Sequence, residues 1–157
     1  MMNDGFTLLL LGTLAAILVW IAIVDVRTFT ISDRLNFAVA VMAPLYWWSA
    51  GVPFWPDAAL RVATGIGVFV LFAGFFYVGA MGGGDVKLAG ALALWFAPHA
   101  TLVMLVITSI AGGVLTVIVL AVHRVRKIEG RPEVPYGVAI AFGGLWLLAQ
   151  RFLNHFA

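Results

Sequence analysis

The chain has no cysteine. Disulfides, a thiolate nucleophile and a cysteine-ligated zinc are therefore excluded. Charge is scarce too: 10% of the 157 residues are Asp, Glu, Lys or Arg, where a soluble domain carries about 25%. No polar stretch of domain length, Ser/Pro-rich linker or low-complexity tail divides the sequence, so residues 1–157 read as one domain. What is abundant is apolar, at 64% of the residues. A soluble body of this size leaves roughly a third of its unfolded-chain surface exposed and could not hide so much hydrocarbon. Lipid can cover it, and the expectation is an all-α, polytopic membrane protein.

Hydrophobic runs and turn residues divide the chain into about six transmembrane helices. Phe6 to Val24 is long enough to cross about 30 Å of hydrocarbon at about 1.5 Å per residue. It lacks a basic leader and is followed by further apolar segments, so it reads as a retained helix. Leu35 to Trp48 follows and ends in the interface aromatics Tyr46, Trp47 and Trp48. A loop from Ser49 to Asp57 turns on Pro53 and Pro56. The third span is Ala59 to Val78, with Arg61 near its start placed to snorkel outward. After the glycine-dense stretch 79–87, Leu88 to Phe96 is too short to cross, so the fourth helix is expected to be short and to begin near Gly84. Thr101 to Val122 and Tyr136 to Phe152 complete the set, separated by the basic segment His123 to Pro135.

Basic residues orient such a bundle. The connections 25–34, 79–87 and 123–135 hold Arg27, Arg34, Lys87, Arg124, Arg126, Lys127 and Arg131, while the opposite side holds only Arg61 and Arg151. This bias puts the richer loops in the cytoplasm and both termini outside. Anionic lipid headgroups account for the basic loops better than nucleic acid does.

Two acidic residues stand apart from the rest. Asp25 and Asp85 each abut an apolar helix at one membrane face, where a charge carried to full depth would cost about 2.5 to 3.5 kcal/mol. They read as boundary residues, as salt-bridge partners of Arg27 and Lys87, or as a carboxylate pair. Two carboxyls held about 3 Å apart cannot both ionise and share a proton, which supplies a general base and a general acid together. Gly82, Gly83 and Gly84, just before Asp85, open backbone conformations closed to other residues and permit close packing beside the turn. A structural hinge would use them equally well. A phosphate loop is disfavoured, because no Gly-Lys-Ser/Thr follows. Gly65, Gly67, Gly74, Gly112, Gly113, Gly143 and Gly144 read as small residues between helices.

Three segments carry a family resemblance: residues 25–36 (DVRTFTISDRLN), residues 82–87 (GGGDVK) and residues 134–141 (VPYGVAIA). Together they resemble the short type IV prepilin peptidases that serve Flp or tight-adherence pili, intramembrane aspartic proteases with a Gly-x-Gly-Asp signature. The resemblance implies catalytic roles for Asp25 and Asp85 in a single transmembrane peptidase domain in the bacterial cytoplasmic (inner) membrane. It implies as partner a prepilin with a hydrophobic N-terminal segment, cut near its N-terminus at the cytoplasmic face, alongside membrane lipid. It implies neither metal nor cofactor, and His99, His123 and His155 form no ligand cluster in the expected topology. Asp33, Glu129 and Glu133 are candidate attractors for leader lysines, or plain solvated loop charges. The third segment reads as the shaped opening of the last helix through Pro135 and Gly137. One departure stands out: Ser32 occupies a place where the family commonly has proline. The large members' cytoplasmic insertion with paired Cys-x-x-Cys motifs has no counterpart here, which implies a peptidase without a methyltransferase module. Helix dipoles favour the shared proton on Asp25, at the end of helix one, over Asp85, at the start of helix four. A proton- or cation-coupled transporter and a noncatalytic assembly component are the rival classes, since paired carboxylates also relay protons.

Overall fold

The computed structural model describes residues 4–127, 130 and 132–156, without the side chains of Asp4 and of residues 154–156. Glu129 and Arg131 lie outside the described residues, as does the side chain of His155. The described chain forms six α-helices: α1 (Asp4–Thr28), α2 (Asp33–Ser49), α3 (Ala59–Tyr77), α4 (Gly83–Ala93), α5 (Pro98–Val125) and α6 (Tyr136–Phe156). An irregular turn at Phe54–Ala58, with Trp55 extended, leads into α3.

The expected all-α architecture is present, with one correction to the count of spans. Among the described residues, only α1, α3 with its lead-in turn, α5 and α6 are long and apolar enough to cross a bilayer, so four of the six helices are candidate spans. α4 has 11 residues and reaches ~16 Å, about half the hydrocarbon thickness. α2 has 17 residues, including Pro44 and several polar groups. α1 runs one turn further than its apolar stretch, so Asp25 lies inside the helix and not at its edge. α5 starts earlier than expected because Pro98 fits a first helical turn, where no intrahelical N–H bond is needed.

α4 is the centre of the bundle. It packs against α2, α3 and α6, and Val86 and every residue from Leu88 to Ala93 are buried. A helix ending inside the apolar layer strands its last carbonyls, and each must find a donor. Trp47 Nε1 donates to Leu94 O at 2.8 Å, and Arg61 Nη1 donates to Trp95 O at 2.7 Å. Arg61 therefore turns inward to the end of α4, against the outward snorkel expected. Trp95 anchors the same end by donating to Val39 O and stacking on Tyr46.

Close helix approaches use some of the expected glycines. A Cβ at Gly65 would lie 3.2 Å from Gly90 O, and one at Gly144 would strike Leu92 and Leu18. Gly112 and Gly143 likewise face α6 and α5, respectively. Gly67, Gly74 and Gly113 meet nothing within 4 Å and are not interface residues. Around this core the outer faces of α3 and α5 expose large apolar side chains, as a lipid-facing surface requires.

Candidate active site

Asp25 continues the buried face of α1. Leu14, Leu18, Ile21 and Asp25 are spaced four, three and four residues apart, so they share one side of the helix, and Asp25 is 2% exposed. Its Oδ2 accepts a hydrogen bond from the backbone N–H of Val138 at 3.1 Å. Val138 sits in the first turn of α6, where free amides and the helix dipole favour a nearby negative charge. The 134–141 segment is thus part of the site itself, a role that its sequence did not reveal.

Asp85 is the third residue of α4 and 8% exposed. Its Oδ2 accepts the N–H of Gly82 at 3.2 Å, which caps the helix start. Its Oδ1 is buried and finds no hydrogen-bond partner among the described residues. Burial, then the nearby charge of Asp25, push the Asp85 carboxyl up to about 7, against the lowering effect of the Gly82 amide. The carboxyl pair is coupled through space although 60 positions separate its members in sequence.

The bland ion-pair reading does not describe either aspartate. Lys87 pairs with Asp33 at 2.7 Å, both being solvent-exposed, and this is the only salt bridge among the described residues. Asp33 is thus already engaged, while Glu133 is an exposed loop residue.

The glycines divide by role. Gly82, Gly83 and Gly84 are not among the glycines with positive φ, so conformational freedom is not their function. Close approach is. A Cβ on Gly84 would lie 3.1 Å from both Ile31 Cβ and Ile31 O, and one on Gly137 would lie 2.7 Å from both Asp25 Oδ2 and Ile31 Cδ1. Ile31 therefore wedges between the starts of α4 and α6, beside both aspartates. Phe29, with φ of 50°, ends α1 in the left-handed region and turns the chain toward that wedge. Ser32 starts α2 by accepting the Arg34 N–H at 3.3 Å, so a side-chain cap stands where the family's proline would constrain the turn. Asn36 Nδ2 donates to Gly84 O at 3.0 Å and ties α2 to the glycine turn. The contributions of Ile31, Asn36 and Val138 depend on contacts between distant segments and carry no sequence signal of their own.

A multi-pass helical membrane protein with two buried, coupled carboxyls at the meeting point of α1, α4 and α6 belongs to a narrow class. Residues 12–117 match the type IV leader peptidase family, and the chain belongs to that family. Over 145 residues it is 26% identical to a protein of Pectobacterium carotovorum subsp. carotovorum named prepilin leader peptidase/N-methyltransferase, with 90% of this chain and 51% of that protein aligned. The chain thus spans about half the length of that curated relative. No solved structure matches it.

Proposed function

We propose that the chain hydrolyses one peptide bond near the N-terminus of a type IV prepilin, at the inner face of the bacterial cytoplasmic membrane. Asp25 and Asp85 are its catalytic pair. The observation that carries this reading is the burial of both carboxyls at one end of the bundle, where Ile31 packs against the helix starts beside them. The basic loops 25–34 and 123–135 lie in the cytoplasm and both termini outside, in keeping with the charge bias. The substrate presents a hydrophobic segment to the membrane, and lipid surrounds the exposed helix faces.

The shared proton resides on Asp85, the reverse of the assignment that helix dipoles within each segment favour. Asp25 lies at the end of α1 but also at the start of α6, where Val138 donates to it. Asp85 has an oxygen with no donor, which a carboxylic acid tolerates better than a carboxylate. Asp25 then takes a proton from water as the water oxygen bonds to the scissile carbonyl carbon. Asp85 gives its proton to the carbonyl oxygen, forming a tetrahedral diol. Collapse of that intermediate breaks the C–N bond: Asp25 passes its proton to the leaving amine, and Asp85 recovers one from the diol hydroxyl. The pair ends as it began.

The test is co-production with a tagged type IV prepilin, followed by mobility of the precursor. Asp25→Asn and Asp85→Asn should each lower cleavage by about 10² to 10⁴, the usual worth of a general acid or base. Cleavage that persists at the unaltered rate in either variant overturns the pair.

A further inference from the structure

Beside the Asp85 turn runs an apolar groove of about 720 Å³. Phe37 and Ala40 of α2 form one wall, Val62 and Ile66 of α3 the other, and Gly90 and Ala91 of α4 the floor. It exists because α2 and α3 both pack on the short central helix without packing substantially on each other. Gly65 and Gly90 draw α3 and α4 together at its base. Its outer edges are open, with Phe37 70% and Ile66 60% exposed. Polar lining is confined to one end, where Asp33, Asn36 and Lys87 stand next to the turn that holds Asp85. The other end is closed by Trp47 and Leu94. Along α2 the distance from Asp33 to Trp47 is ~21 Å, the length of about 14 helical residues.

We infer that this groove seats the apolar helix of the protein substrate, with its polar end at Asn36 and Lys87, so that the bond to be cut arrives at Asp85. The inference rests on the peptidase reading above and deepens it. A peptide fits better than a lipid chain because of Asn36, which is 4% exposed. Its amide nitrogen is committed to Gly84 O, while its Oδ1 is buried without a partner. A substrate helix that begins at the groove mouth presents free backbone N–H groups there, since the first turn of any helix leaves them unpaired. Hydrocarbon offers no donor. The exposed Lys87–Asp33 pair marks the same mouth as the boundary between the apolar channel and water. A second groove between α1 and α6 is smaller, at about 400 Å³, and none of its lining residues has an orphaned buried polar atom.

Photocrosslinking in the full chain tests the assignment. A photoreactive phenylalanine analogue replaces Phe37 or Ile66 in the groove, Ile23 in the α1–α6 groove, or Leu102 or Ile110 on the outer face of α5. Each is placed in an Asp85→Asn background that preserves precursor and is co-produced with a tagged type IV prepilin, while cleavage by the unaltered chain is scored in parallel. Adducts to the prepilin's apolar segment from positions 37 and 66, and none from 102 and 110, are expected. Adducts only from position 23 or from α5, or lipid adducts alone at 37 and 66, overturn the groove while parallel cleavage keeps the peptidase reading standing. Failure of the unaltered chain to cleave overturns that reading, and the groove's occupant with it.

Discussion

At the scale of single residues the site is governed by what cannot be added. Gly137 stands where a methyl group would reach the Asp25 carboxyl at 2.7 Å, whereas a methyl group on Gly83 would make only ordinary contact with Phe76 at 3.5 Å. Gly137→Ala should therefore displace Asp25 and cut cleavage about 10²-fold, since small misplacements of reacting groups cost that much. Gly83→Ala should leave cleavage near the unaltered level. Both variants are compared by precursor mobility after equal membrane expression. The carboxyl of Asp85, pushed up to about 7, sets a pH dependence. If Asp85 is the acid of the pair, its acid form is lost as pH rises through that value, so the cleavage rate of purified enzyme should decline on the alkaline side. An unshifted carboxyl would have lost its proton far below neutrality. A rate that stays flat well above pH 8 would move the acid role elsewhere.

At the scale of elements the short α4 is the decisive feature. It brings Asp85 to one end of the bundle, and the carbonyls of Leu94 and Trp95, just past its last residue, are satisfied by Trp47 and Arg61. Trp47→Phe removes a neutral donor and should cost about 1 kcal/mol, and Arg61→Met removes a charged one and should cost about 1.5 to 3 kcal/mol. Unfolding in mild detergent micelles measures both. By contrast, Lys87→Ala breaks only an exposed pair and should change stability by less than about 1 kcal/mol. Little of this arrangement could be read from the chain alone. α1 is apolar on every side, so its sequence does not mark the stripe of Leu14, Leu18 and Ile21 that turns Asp25 inward. Arg61 sits near a helix start, which suits both an outward snorkel and the inward bond it makes, and only the position of Trp95 separates the two.

At the scale of the whole molecule the absence of cysteine makes orientation measurable, because any introduced thiol is unique. Thr30→Cys, in the exposed loop between α1 and α2, should react with an impermeant maleimide only after the inner membrane is opened. Phe54→Cys, at the opposite end before α3, should react in cells with only the outer barrier removed. The reverse pattern would invert the proposed orientation and put the carboxyl pair on the outer face. Among the described residues, four helices long and apolar enough to cross a membrane frame the bundle, while α2 and α4 complete its interior and leave a groove between α2 and α3.

Composition and the lengths of the apolar runs were enough to determine an all-helical membrane protein, its approximate helix boundaries and the short fourth helix, because hydrocarbon forces backbone polar groups to pair within each segment. The glycine turn and the two aspartates were legible for the same local reason: polar and flexible residues are conspicuous against lipid-grade sequence. Which amide meets Asp25, why Gly84 and Gly137 have no side chain, and where Arg61 points were decided only in three dimensions. Those facts are contacts between α6 and α1, between Ile31 and two helix starts, and between α3 and the end of α4. A local pattern encodes a helix, but the partner of a buried polar atom is chosen by packing among segments far apart in the chain.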